Sequence, residues 1–493
     1  MTLAPATRRR IDAFVSDWVA DADVPGAGLA LVDREEVLYA AGFGARDLEA
    51  DAPATADTLF GIGSCSKSVT ALAVAWLVEA GELDYTDPVA DHVDAFAGTG
   101  ITVSDLLTHS SGMPSDGAAV AQIARRIGAA PATQPTTSRE DFDRLLAKTA
   151  DDRVVAEEWP DDVEPDGEGT DDGGRDDEGP FFYYNTGYTV LSDVVAAVAG
   201  EPFREFVVET LFEPLGMPRT TYAESDFEAD REAATPYYRD PDDEEGSLTE
   251  GGFPFGDRVD GPGGIVSSVN ELARYLRFHL NGGELDGTRL VSEETLAEAY
   301  ATHATRQRFL DGAEQGYGYG WMRQPFAVGE GHADADTLVG HGGSVSVATA
   351  YLGWLEDAGV GVALACNTSA DPHPMHVGPA VLALATGQEP AETVPRYALD
   401  AKLDAVVGEY DAVHSVARGT VERSGGTLTL TLATDLGEQT MHLQPTSLSP
   451  DDLAFETTST AGAAVPVRFE RGEDGTVQDL FVQRWRLQRE YAE

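Results

Sequence analysis

Two periods alternate through the opening part of the chain. Residues 7–21 (TRRRIDAFVSDWVAD) space their apolar side chains helically and predict an amphipathic helix. Residues 26–48 carry apolar runs on either side of a polar Asp-Arg-Glu-Glu turn, the pattern of a β-hairpin. Residues 64–81 form an apolar helix that Gly81 ends. In 101–114 (ITVSDLLTHSSGMP), Thr102 or Ser104 is an N-cap for a short helix, and Gly-Met-Pro stops it. Farther on, 181–200 predict a turn entering an apolar helix that ends at Gly200, and 202–216 and 268–282 also read as helical. Residues 344–367 read as two strands joined by Glu-Asp-Ala-Gly, and 372–386 as a closing helix. From Leu399 onward short alternating runs, broken by Gly-Gly and Asp-Gly, predict a small all-β sandwich or barrel. The expected division is therefore a larger domain over 1–390 and a small β-domain over 396–493.

Charge narrows the partners. The 493 residues hold 33 Lys+Arg against 86 Asp+Glu, a formal net charge of −53. A phosphate backbone or an anionic membrane surface would be repelled by such a chain, so nucleic acid and membrane are not expected partners. Only Lys67, Lys148 and Lys402 are lysine. An acidic surface that prefers Arg to Lys reads as adaptation to molar salt, where screening quenches self-repulsion. Twelve of the 24 residues in 157–180 are acidic, which predicts a solvated loop inserted in the larger domain; no D-x-D-x-D-G spacing supports calcium there. A second acidic loop is expected at 240–247. Cys65 and Cys366 are too few for a disulfide framework. The basic N-terminus has no apolar segment after it, and no apolar run approaches 18 residues. The expectation is a cytoplasmic protein with no membrane span.

Three short patterns carry the candidate chemistry. Ser64-Cys65-Ser66-Lys67 opens the apolar helix, and positions i and i+3 share a face, so the Ser64 hydroxyl and the Lys67 amine can meet. A lysine stripped of water is a competent base for a serine nucleophile. A capping serine and an exposed lysine would give the same four letters. Tyr183-Tyr184-Asn185 precedes the next apolar helix; Tyr183 could relay a proton and Asn185 could bond a substrate carbonyl or Lys67. Core aromatics with an asparagine cap would read alike. Gly340-His341-Gly342-Gly343-Ser344 precedes an apolar strand, and the amides of Ser344 and Ser64 could form an oxyanion hole. A turn histidine is the plainer reading of His341. Asp105 and His109 resemble a base pair but read better as structural. No G-x-S-x-G or H-E-x-x-H is present, and His373 with His376 makes a poor zinc site, so neither metal nor cofactor is expected.

Taken in order, S-x-x-K, Y-x-N and H-x-G resemble the serine β-lactamase and penicillin-binding-protein superfamily, in the version of its class C-related branch. The segments LLTHSSG (106–112), EPLGM (213–217), GGIVSS (263–268) and GYGYGW (316–321) are similar to that branch as well. The resemblance covers about 8–388, and 399–493 resembles the lipocalin-like β-domains that follow some members. It implies an α/β fold of the α+β kind: an antiparallel sheet flanked by helices, an all-helical subdomain, and a site between them. It implies a metal-independent serine hydrolase of a small-molecule ester or amide, with Ser64 acylated and Lys67 and Tyr183 sharing acid and base work. Which of those two is the base stays open. Asn185 would orient substrate and Lys67; Gly343 and Ser344 would line the site. His341 stands where many relatives carry a carboxylate-binding lysine, which favours esters or neutral amides. A D-stereospecific peptidase or carboxypeptidase, or an acyltransferase, is the alternative on this fold; an inactive binding protein is the alternative from another class. The oligomeric state is not given by sequence.

Overall fold

The computed structural model describes residues 2–115, 117–126, 139–154, 180–239, 247–329 and 332–489. The expected acidic loops at 157–180 and 240–247 lie, all but Pro180 and Ser247, outside the described residues. The chain divides into two compact units. The first comprises Met1–Gln307, Gln315–Gln324 and Thr337–Thr386; the second comprises Gly387–Glu493 with Arg308–Glu314 and Pro325–Asp336.

The first unit is built on a nine-stranded sheet. Its strands are β1 (Gly26–Asp33), β2 (Val37–Asp47), β3 (Ala52–Pro53), β4 (Ala304–Arg308), β5 (Glu314–Tyr317), β6 (Met322–Pro325), β7 (Thr337–Ser344), β8 (Thr349–Leu355) and β9 (Val360–Cys366). The spatial order is β4-β5-β6-β7-β8-β9-β1-β2-β3, so the N-terminal hairpin completes a sheet made mostly by the end of the unit. β1 lies antiparallel to β9, with Ala30 opposite Ala363. All eight residues of β1 are buried. That explains its continuous apolar run, because a strand covered on both faces has no polar side to alternate with. Helix Val269–Leu280 covers the face carrying Ala30 and Val32. Helices Pro5–Asp21 and Pro374–Thr386 pack against each other, and the latter against β8 and β9.

The expected helices form where their caps place them. Thr102 accepts from the Asp105 amide and Asp105 reciprocates, a capping box that starts Val103–Leu107. Gly200 ends Asn185–Ala199 in the left-handed conformation, φ 75°. Residues 202–216 instead split into helix Phe203–Val207 and a wider π-turn over Val208–Phe212.

The second unit holds a closed, eight-stranded antiparallel barrel. Its strands are β10 (Gly408–Asp411), β11 (Ala417–Ser424), β12 (Thr427–Thr434), β13 (Gly437–Pro445), β14 (Ala454–Thr458), β15 (Ala464–Arg471), β16 (Val477–Val482) and β17 (Trp485–Arg489). β17 pairs back onto β10 at Tyr410↔Arg489, which closes the ring. Alternate residues point inward: Leu428, Leu430 and Leu432 join Tyr410, Phe455 and Phe469 in a filled interior. The barrel does not begin at Leu399. Pro395–Val406 is a helix, and Leu403 and Val406 pack into the barrel core. Its buried positions Ala398, Lys402, Leu403 and Val406 recur at helical spacing, and proline stands at its first turn. The alternating pattern overran that signal.

Candidate active site

Ser64 sits in the 3-10 turn Gly63–Cys65, which runs directly into helix Ser66–Glu79. Two anchors hold this turn. The Ile62 amide donates to the Ile265 carbonyl at 3.0 Å, and the Ile265 amide donates to Ser66 Oγ at 3.2 Å. On its other side the turn meets β7 backbone to backbone. A Cβ on Gly343 would lie 1.9 Å from the Ile62 carbonyl oxygen, and one on Gly63 would lie 2.5 Å from the Ser344 amide nitrogen. Gly63 also has φ 50°. Glycine at both places lets the Ser344 amide come beside that of Ser64. Ser64 belongs to a first helical turn, where amides have no intrahelical acceptor.

Lys67 is fully buried, and its Nζ reaches three oxygens: Ser64 Oγ at 3.0 Å, Asn185 Oδ1 at 2.7 Å and the Pro262 carbonyl at 2.9 Å. Burial holds its pKa well below the usual lysine range. The Tyr183 and Tyr188 rings stand 4.9 and 5.4 Å from Nζ and favour the ammonium, but desolvation outweighs them. No carboxylate among the described residues makes an ion pair with Lys67. A neutral amine fits this setting: two N–H groups donate to Asn185 and Pro262, and the lone pair faces the Ser64 hydroxyl.

Tyr183 is half-buried and hydrogen-bonded to Ser64. Burial raises its phenol, so it stays protonated at neutral pH; the charge of Arg306 opposes that rise. Ser64, Lys67, Tyr183, Asn185, Gly343 and Ser344 therefore converge on one place. Asn185, Val259, Pro262, Ser344 and Val345 line a small cavity beside Ser64. Asn185 and Ser344 also line a neighbouring cavity of about 850 Å3.

His341 has a different setting. It is 1% exposed, and both ring nitrogens are engaged inside the protein. A directed chain accounts for them. The Tyr184 amide donates to His109 Nδ1 at 3.1 Å, so His109 Nε2 carries its proton toward the Tyr317 hydroxyl at 3.3 Å. Tyr317 then donates to His341 Nε2 at 3.0 Å, and His341 Nδ1 donates to the Gly342 carbonyl at 2.6 Å. Both imidazoles are neutral: burial holds His109 well below its usual range and brings His341 down to about 3. The His109 ring also lies 4.4 Å from that of Tyr183. The chain thus ties the Tyr183 loop to β7. Its members stood in LLTHSSG and GYGYGW, whose letters give no sign of the contact. The Pro262 carbonyl was likewise missed, because a backbone acceptor leaves no residue signature. Cys65 is buried and donates to the His341 carbonyl, and burial pushes its thiol up to about 12. Asp105 caps its own helix, and both nitrogens of His109 are taken, so the two do not work as a base pair. Among the described residues no cluster suited to a metal ion occurs.

The model of the beta-lactamase family matches residues 11–386. The chain belongs to the beta-lactamase family. A second family, described as the Pab87 octamerisation domain, matches 390–488. The octameric penicillin-binding protein homologue from Pyrococcus abyssi is similar in structure, with a TM-score of 0.79 and 31% identity over 97% of this chain and 99% of that one. Penicillin-binding protein 4 of Amycolatopsis lactamdurans is 27% identical over 354 residues, 70% of this chain and 81% of that protein. Unguisins hydrolase of Aspergillus violaceofuscus is 26% identical over 275 residues, 52% of this chain. The chain spans only 42% of that hydrolase's length. Sheet and helices together have the fold of the β-lactamase and penicillin-binding-protein superfamily of serine hydrolases, followed by an all-antiparallel barrel. No helix among the described residues is long and apolar enough to cross a membrane.

Proposed function

We propose that the chain is a serine hydrolase of the class C-related branch that cleaves a neutral ester or amide through an acyl-enzyme on Ser64. The observation that carries this reading is the buried Lys67 amine, 3.0 Å from Ser64 Oγ and with both its N–H groups already bonded. Ser64 gives its proton to Lys67 as Oγ attacks the carbonyl carbon. The amides of Ser64 and Ser344 receive the developing oxyanion. Tyr183, held protonated, donates to the leaving group and is reprotonated from Lys67. Water then repeats the sequence in reverse and frees Ser64. His341 serves as a strut for β7, without a free nitrogen for a substrate carboxylate, and this supports neutral substrates.

An intact site speaks against an inactive binding protein. The test is intact-mass analysis after a fluorophosphonate probe, in high salt. Wild type should gain one adduct that maps to Ser64, and Ser64→Ala none. Folded wild type without an adduct would overturn the proposal. The match over 390–488 and the octameric relative support self-association of this chain. Its acidic, lysine-poor composition supports work in concentrated salt.

A further inference from the structure

We propose that one end of the barrel, carrying Val413, Val416 and Leu436, is the surface on which this chain docks a second copy of itself. The proposal rests on the self-association inferred above and names the face that performs it. An antiparallel barrel puts alternate connections at the same end. One end thus carries 412–416, 435–436, 459–463 and 483–484, which read AVHSV, DL, STAGA and QR. Asp435 and Arg484 are the only charged residues in these four connections, and their signs cancel. Beside them, Asp411 is paired with Arg418 at 3.2 Å. The opposite end differs. Its connections 446–453 and 472–476 hold Asp451, Asp452, Glu473 and Asp474 and no basic residue.

Exposure picks out the same end. Leu436 is 98% exposed, Val413 74% and Val416 55%. Register brings two of them together: Ala417, next to Val416, pairs with Thr434, two residues from Leu436. Val413 and Val416 share a loop closed by the Ala412 amide on the Ala417 carbonyl at 2.9 Å. This loop holds His414 and Ser415 at positive φ, 59° and 52°, so it is a shaped turn. Single exposed apolar residues are ordinary, whereas a group of them marks an interaction site. The charge identifies the occupant. Two copies of a chain at −53 repel over most of their surfaces, and contact is cheapest at the end whose connections carry no net charge. A cationic partner would seek the acidic surface and avoid this end.

The experiment is the mass of the full chain in molar KCl by light scattering. Wild type should exceed the 52.3 kDa of one chain. The double variant Val413→Glu/Leu436→Glu should lose at least half of the wild-type mass while far-UV circular dichroism and the thermal midpoint stay unchanged. Leu436→Gln, which adds no charge, should weaken assembly in the same direction. Leu48→Glu places a carboxylate on an exposed leucine of the first unit and should leave the mass unchanged. A barrel variant that keeps the wild-type mass overturns this face and leaves self-association standing. Dissociation by Leu48→Glu overturns it too, since any added charge would then suffice. Wild type at the mass of one chain overturns self-association and this inference with it.

Discussion

Lys67 has three oxygen acceptors and no counter-ion among the described residues, and this combination decides its protonation. Acceptors of that kind can serve an ammonium or a neutral amine, but removal from water penalises only the charged form. Arginine cannot lose its proton, so Lys67→Arg would bury a permanent charge and remove the base together. The variant should lose at least about 1,000-fold in phosphonate labelling of Ser64, within the range a positioned base contributes. Burst kinetics on folded protein would measure it; a loss under tenfold would refute Lys67 as the base. The sign of the pH dependence follows from the same burial. In the proposed mechanism the working form is the neutral amine, so activity should persist above the lowered pKa and fall as acid protonates Lys67. Lysine scarcity was a partial guide to this site. Lys67 and Lys402 are both fully buried, and Lys402 donates to the Ser447 carbonyl and hydroxyl with its pKa brought down to about 8 by burial. Lys148 is exposed at the surface, and of the two buried lysines only Lys67 touches Ser64, so scarcity alone does not pick out the site.

The turn before helix Ser66–Glu79 and strand β7 meet through glycine, and their fit sets the distance between the Ser64 and Ser344 amides. Gly343→Ala would drive a methyl group into the Ile62 carbonyl, a rigid neighbour. Overpacking of this kind costs about 1–3 kcal/mol, which leaves the chain folded. The expected loss of turnover is larger than that cost implies, because an oxyanion donor displaced by a fraction of an ångström contributes little. Thermal midpoint and kcat, measured on the same sample, would separate the two effects. Gly426→Ala has open space around it and should change neither. Unchanged kcat in Gly343→Ala would refute the backbone oxyanion site. At this scale much was legible from sequence, since the hairpin at 26–48, the helix after Ser64 and the strands of 344–367 follow from period and turn chemistry alone. Strands β4, β5 and β6 were not, because they are only four or five residues long and their polar residues carry no alternation. The helix Pro395–Val406 was lost for the opposite reason, as its apolar positions blend into the alternating run that follows. The His109–Tyr317–His341 chain joins residues more than 200 positions apart, which no local pattern encodes.

At the scale of the molecule, 86 acidic residues face 33 cationic ones, and ion pairs such as Arg274–Asp286, Arg289–Glu284 and Arg486–Asp479 lie at the surface. Such pairs add little individually, up to about 1 kcal/mol, and salt weakens them. Long-range repulsion among the unpaired carboxylates outweighs them, and salt weakens it as well. The two effects oppose each other, and the charge imbalance says which wins. At 0.1 M salt the screening length is about 10 Å and repulsion reaches between neighbouring carboxylates; at 1 M it is about 3 Å and the reach is gone. Unfolding separates the like charges, so repulsion favours the unfolded chain most at low salt. The thermal midpoint should therefore rise as KCl increases from 0.1 to 3 M, steeply at first and then more slowly. NaCl should act like KCl, since screening does not distinguish the cations. Scanning calorimetry across the series measures this. A flat or falling midpoint would mean that the acidic surface costs the folded state nothing, and the composition would then need another explanation.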